Sequence, residues 1–199
     1  RNCEGEGYML ALKCEPAGQM SVASVAGLLP EEMKTFAQNL ALERPWTCFV
    51  KVNEHSWTKD AFTKIASVSN VADVWMVLNE FARNEVLSGY VNIFFMESEM
   101  LPLAEDNRDV WKKGGCWSTI LKGQNWITSM QTIVLTVLGE SVFDKTVKGV
   151  CVVPVSQQHC IVKIWCTDRG VETKLADQLR DLYQTSAVPP AAPRFKGFF

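Results

Sequence analysis

The chain has 199 residues, 47% of them hydrophobic, with 10 Phe and 7 Trp, enough apolar side chain to bury one substantial core without disulfides or metals. A formal charge of -2 and a sequence pI of about 5.8 argue against a broad electrostatic grip on long nucleic acid, which needs many cations set against phosphates. They leave room for a short, chemically distinctive nucleic-acid end. Cysteines are scattered, odd in number and without a C-x-x-C pair, which speaks against a disulfide framework or zinc site and for a reducing compartment. A cytoplasmic location with no metal and no cofactor is therefore expected. The sequence also lacks an apolar run of about eighteen residues and a basic segment leading into an apolar one, so neither a membrane span nor a signal peptide is expected.

Residues 1–40 mix Gly, Ala, Ser and Glu without a sustained period and read as a flexible or loosely docked leader, in which Pro30-Glu31-Glu32 could open a short helix. A single domain is expected over 41–199. Its first strand is marked by Trp46, Cys48, Val50 and Val52 alternating with Thr47, Phe49 and Lys51. The polar stretch 53–56 then delivers Trp57, which either folds back on the core or stands at a loop tip, where an indole is costly to leave in water.

Asn70 can cap the next helix and Asp73 suits its first turn, with Val74, Val77, Leu78 and Phe81 on the buried stripe. Val71 and Trp75 fall on an adjoining edge and read as peripheral core. Strands are expected at 90–96 and 116–122, separated by a loop, 100–115, rich in charge and carrying Trp111. From Trp126 onward, Met130, Ile133, Val134, Val137 and Leu138 recur at helical spacing. Their β-branched neighbours favour a strand, but thirteen residues at period 3.6 favour a helix that Gly139 ends in a left-handed conformation.

Two apolar runs, 150–155 and 160–166, joined by Ser156-Gln157-Gln158-His159, read as a hairpin. In the second run Cys160, Val162, Ile164 and Cys166 point to a helix-covered core, and Ile161, Lys163 and Trp165 point to a wetter face. Asp168 can cap a last helix with Val171, Leu175, Leu179 and Leu182 buried, and 194–199 reads as a short strand bearing Arg194 and Lys196. The fold class expected is α+β: a curved antiparallel sheet of seven or eight strands with three helices on the convex face.

Val-Leu-Gly-Glu-Ser at 137–141, Ile-Trp-Cys-Thr-Asp at 164–168, Gly-Gly-Cys-Trp at 114–117 and Val-Ala-Asp-Val-Trp at 71–75 occur together in one order and spacing. In this the chain resembles the eukaryotic translation initiation factor 4E family, which binds the 7-methylguanosine cap of messenger RNA. The resemblance runs from about residue 44 to the end. It implies that Trp57 stacks on the cap base and that Glu105 reads the base edge, with Trp165 beside them. A methylated guanine is cationic, so indole faces attract it by stacking and by cation-π contact, and a carboxylate accepts its N–H groups. It also implies that Val71, Trp75, Leu135 and Gly139 form a dorsal groove for a Tyr-x-x-x-x-Leu-hydrophobic helix of a scaffold (initiation factor 4G-type) or repressor protein.

The chain departs from the family pattern at two places. Ala104 stands where the family has its second stacking tryptophan, so Trp111 either swings in as the second plate or buttresses Trp117 and the core. Ser156, Gln158, Ile161 and Cys116 replace phosphate-binding cations. Lys163, Arg194 and Lys196, with Lys112 or Lys113, could take over, or could be ordinary solvated cations.

The expectation is thus a non-enzymatic cap-binding protein acting in translation initiation or its regulation. A paralogue that has lost the cap but keeps the peptide groove is the alternative. An enzyme, such as a thiol hydrolase using His159 with Cys160 or Cys166, has little support. The cysteines fall on the core face, and no phosphate-binding loop or nucleophile elbow is present.

Overall fold

The computed structural model describes residues 40–52, 56–83, 91–123, 125–139, 145–156, 158–169, 177 and 194–199. The elements in chain order are β1 (Ala41–Val52), β2 (Thr63–Asn70), α1 (Val71–Arg83), β3 (Val91–Glu97), α2 (Arg108–Trp111), β4 (Gly115–Lys122), α3 (Trp126–Leu138), β5 (Val147–Ser156), β6 (His159–Cys166) and β7 (Arg194–Gly197). The strands make one curved, seven-stranded sheet of order β2-β1-β3-β5-β6-β4-β7, every pairing antiparallel. The expected fold class stands. Residues 1–39 of the leader, with the short helix expected there, and the last helix with Val171, Leu175, Leu179 and Leu182 lie outside the described residues.

The alternation of side chains sorts the core into two layers. Trp46, Cys48, Ile93, Phe95, Trp117, Leu121, Val150, Val152 and the even-numbered residues of β6 pack beneath α1 and α3. Phe49, Phe94, Met96, Cys151 and Trp165 lie on the opposite face with Phe62, Leu103 and Trp111. Both faces of the sheet are therefore apolar at their centre, and only one is covered by the two long helices.

The start of α1 is set by reciprocal capping. Asn70 Oδ1 accepts the Asp73 N–H at 2.9 Å, and Asp73 Oδ2 accepts the Ser69 N–H at 3.1 Å, so two donors at the helix start are satisfied. In α3 tertiary burial overrides the β-branched composition. Trp126, Met130, Ile133, Val134, Val137 and Leu138 are all buried. On the outer side the Thr132 and Thr136 hydroxyls donate back to the carbonyls of Thr128 and Thr132, at 2.9 and 2.7 Å, the i−4 back-bonding open to threonine in a helix.

Two sequence expectations need correction. Gly139 ends α3 with φ -76° and ψ -5°, a right-handed conformation. Its N–H donates to the Leu135 carbonyl at 2.8 Å, continuing the helical pattern, so no left-handed residue is required there. The β5–β6 hairpin is also tighter than a four-residue connection. Ser156 and His159 are themselves paired across the ladder, their Oγ and Nδ1 atoms 2.7 Å apart, and the Gln158 N–H donates to the Ser156 hydroxyl at 3.2 Å.

Strand β2 was not legible as an alternating run, since its sequence mixes polar and apolar residues on both faces. Its partner β1 defines it, through pairs such as Trp46 with Val68 and Cys48 with Ala66.

Candidate functional site: an aromatic belt on the open face

Trp57 lies in the loop after β1, just before the 3-10 turn Lys59–Ala61. It is 52% exposed, so the loop-tip reading describes it, although its inner edge is packed. Its ring centroid lies 5.8 Å from Phe62 and 6.3 Å from Phe94. Lys51 lies on the same face of β1 as Phe49 and is 1% exposed. Its Nζ sits 5.0 Å from the Trp57 centroid. The buried cation thus approaches the indole from the protein side.

From Trp57 a belt of rings crosses the sheet. Phe94 stands edge-on to Trp165, centroids 6.5 Å apart. Trp165 meets Trp111 at 5.5 Å and Phe198 at 4.7 Å, and Trp111 meets Phe198 at 5.3 Å. Tilted and edge-to-face pairs of this kind are the favourable aromatic arrangements.

Trp111 is 0% exposed. Among the described residues its ring neighbours are Trp165 and Phe198, not Trp57, so in this structure it presents no open face as a second plate. The buttress reading fits its placement, with one correction. Trp111 braces Trp165 on the open face, whereas Trp117 lies in the helix-covered layer. The physical reason is the turn of helix α2, which carries Trp111 inward while Arg108, Asp109 and Val110 stay exposed.

Glu105 is exposed in the 3-10 turn Glu105–Asn107, directly after half-buried Ala104, which packs against the open-face layer. The loop of Trp57 and the turn of Glu105 are brought together by an ion pair between Lys59 Nζ and Asp106 Oδ2 at 3.0 Å.

The cations sort by register. Ser118 on β4 is opposite Lys163 on β6 and opposite Arg194 on β7, so the two cations flank one hydroxyl in a single row. In the next row Cys116 is opposite both Trp165 and Lys196. Lys163 is half-buried and Arg194, Lys196, Lys112 and Lys113 are exposed. Directly opposed cross-strand side chains are near neighbours, so Lys163, Arg194 and Lys196 form one basic flank beside Trp165.

Gly114 and Gly115 permit this crowding. A Cβ at Gly114 would lie 2.1 Å from the Cys166 carbonyl oxygen, and one at Gly115 would lie 2.4 Å from the Lys196 carbonyl oxygen. Any larger residue would push β6 or β7 away from β4.

On the back of the sheet, α1 and α3 adjoin, with Gln131 Nε2 donating to Asn79 Oδ1 at 3.2 Å. Val71, Trp75 and Leu135 are half-buried and Gly139 is exposed, so each keeps surface on the outside of the helix pair.

The cysteines suggested as nucleophiles are unsuited to that role. Burial pushes the Cys160 and Cys166 thiols up to about 12, and the Cys48 and Cys151 thiols further in the same direction. The nucleophile is the thiolate, which these sites suppress. Phe62, Phe94 and Phe198 belong to the aromatic belt and Lys51 lies against it, and sequence reasoning did not single them out. Alternation along β1 and β3 puts Lys51 and Phe94 on the face of Phe49 and was a usable signal, but nothing local marks Phe62 or Phe198.

Together these features define an α+β sheet protein whose hollow presents an aromatic belt flanked by cations. The model of the eukaryotic initiation factor 4E family matches residues 41–189, and the chain belongs to that family. No curated protein sequence matches it. Among solved structures it is similar to Ascaris suum eIF4E-3 in complex with an m2,2,7G cap and with an m7G cap, in each case at 19% identity and TM-score 0.64, covering 80% of this chain and 92% of that one. It is also similar to C. elegans eIF4E-3 in complex with the 4E-binding protein Mextli and cap analog, at 17% identity and TM-score 0.62, covering 79% and 92%. At these identities the likeness carries the fold.

Proposed function

We propose that this chain binds the 7-methylguanosine 5' cap of messenger RNA and docks a scaffold or repressor peptide on its back, acting without catalysis in cytoplasmic translation initiation or its regulation. The observation that carries the reading is the exposed indole of Trp57 at one end of an aromatic belt that runs to Trp165. The family membership and the cap complexes of its structural relatives support it.

In this reading the cationic base lies against the outer face of Trp57, gaining stacking and cation-π attraction. Glu105, on the turn tied to the Trp57 loop, accepts the guanine N–H groups in a charge-assisted pair. Trp165 forms the floor and Trp111 holds it from behind. Lys163, Arg194 and Lys196 receive the phosphates, replacing the cations that the chain lacks at 156, 158 and 161. Val71, Trp75, Leu135 and Gly139 form the dorsal site for a Tyr-x-x-x-x-Leu-hydrophobic helix, and the Mextli complex of a structural relative supports a binding-protein partner.

Burial of Trp111 favours one second reading, in which the chain has lost the cap and acts as an adaptor through α1 and α3. Retention on immobilised 7-methylguanosine triphosphate separates the two. Elution by free methylated but not by unmethylated nucleotide is expected. Failure to bind the resin, with peptide capture intact, leaves the adaptor.

A further inference from the structure

We infer that Lys51 is a specificity-determining residue of the nucleotide site: its buried ammonium, set behind the Trp57 indole, lowers the preference of that ring for a positively charged base. The inference rests on the cap-binding reading and concerns the selectivity of the same site. Alternation along β1 puts Lys51 on the open face with Phe49. Phe49 is opposite Phe94 on β3, and Lys51 is opposite Asn92. Lys51 is 1% exposed and Asn92 7%, so two buried polar side chains underlie the Trp57 end of a layer that is otherwise apolar at its centre.

The ammonium is fixed in this place. Lys51 Nζ donates to the Val52 carbonyl at 3.3 Å and lies 5.0 Å from the Trp57 ring centroid. Asn92 is neutral and its Oδ1 has no hydrogen-bond partner, so this cross-strand neighbour leaves the charge of Lys51 in place. Trp57 is half exposed while Lys51 is covered, which sets the cation and the open surface on opposite sides of one indole.

An aromatic ring attracts a cation through the negative potential of its faces. Both faces share the same π electrons, so an ammonium on the inner side draws density away from the outer one. A base stacked outside at about 3.5 Å carries its charge about 8–9 Å from Nζ. That is inside a Debye length of about 10 Å at 0.1 M salt, and the ring between the two charges excludes water and keeps the local dielectric low. A neutral base stacks without this repulsion. Lys51 therefore acts on the difference between a methylated, cationic purine and its unmethylated counterpart. What matters is the place of the ammonium behind the ring, whatever else it touches.

The test is tryptophan-fluorescence titration of the full chain with 7-methylguanosine triphosphate and with guanosine triphosphate, comparing the parent with Lys51→Met, Lys51→Gln and Lys51→Arg. Methionine and glutamine are unbranched at Cβ and remove the charge, whereas arginine keeps it. A shift in the placement of Trp57 alters both affinities together and cancels in their ratio, but a change of charge behind the ring does not. Each neutral variant that retains a cooperative melting transition is expected to raise the ratio of methylated to unmethylated affinity about fivefold. Lys51→Arg is expected to keep the ratio within about twofold of the parent. An unchanged or lowered ratio in the neutral variants overturns the inference, and so does a Lys51→Arg ratio that rises as theirs does. A parent chain that binds neither nucleotide overturns the cap reading itself.

Discussion

The ammonium of Lys59 lies 3.0 Å from the carboxylate of Asp106, and this pair joins the loop that displays Trp57 to the turn that displays Glu105. The two side chains that the proposed site needs at fixed separation thus sit on irregular segments with one charged tether between them. Asp106→Asn is expected to change global stability by less than about 1 kcal/mol, because exposed pairs contribute little. It is expected to weaken methylated-nucleotide binding by about two- to fivefold, a loss that raised salt reproduces in the parent chain by screening the pair. Chemical denaturation and fluorescence titration at two ionic strengths check both halves.

Glu105 is exposed, so its removal tests recognition with little effect on folding. Hydrogen bonds to a charged group contribute about 1.5–3 kcal/mol, and Glu105→Gln is therefore expected to lower affinity for 7-methylguanosine triphosphate by about tenfold or more. The melting temperature should stay within about a degree, since surface substitutions change little. Unchanged affinity would remove Glu105 from the site.

The dorsal surface is separable from the hollow because the sheet lies between them. Trp75→Ala is expected to abolish measurable binding of a Tyr-x-x-x-x-Leu-hydrophobic peptide, as loss of an aromatic anchor commonly costs at least about 2 kcal/mol. The same variant should bind methylated nucleotide as the parent does. Calorimetric titration with peptide and with nucleotide gives both readings on one sample.

The buried thiols predict a pH dependence. In the fold Cys160 and Cys166 stay protonated up to about 12, against an ordinary value of 9.0. Between those limits the unfolded chain loses protons that the folded chain keeps, so stability is intact below pH 9 and falls as pH rises toward 12. The slope is at most about 1.4 kcal/mol per thiol and pH unit. At pH 8 a thiol-alkylating reagent is expected to modify half-buried Cys116 well before Cys160 or Cys166, as peptide mass spectrometry would show.

Much of the fold was legible because its signals are local. Trp46 to Val52 alternates in the same way as a sequence and as β1, and the six stripe residues of 126–138 are all buried in α3. The Asn70 cap and its Asp73 partner were readable for the same reason, since helix capping involves residues three or four apart. β2 was not readable, because its pattern has meaning only when set against β1.

Charge and chemistry followed the same division. Lys163 could be placed on the face of Trp165 by counting along one strand. That it shares a cross-strand row with Arg194 depends on the registers of β6 and β7 against β4, which connect segments about thirty residues or more apart. Such pairings are fixed by the packing of the whole sheet.

By itself the sequence determined which residues alternate, which stripe a helix buries, and which motifs place the chain among cap-binding relatives. Only the tertiary structure decided that Trp111 turns inward, that Lys51 lies beneath Trp57 and that Phe198 arrives beside Trp165. Periodicity follows from backbone geometry within a few residues. Which aromatic ring is covered, and which is left open, depends on strands that meet from opposite ends of the domain.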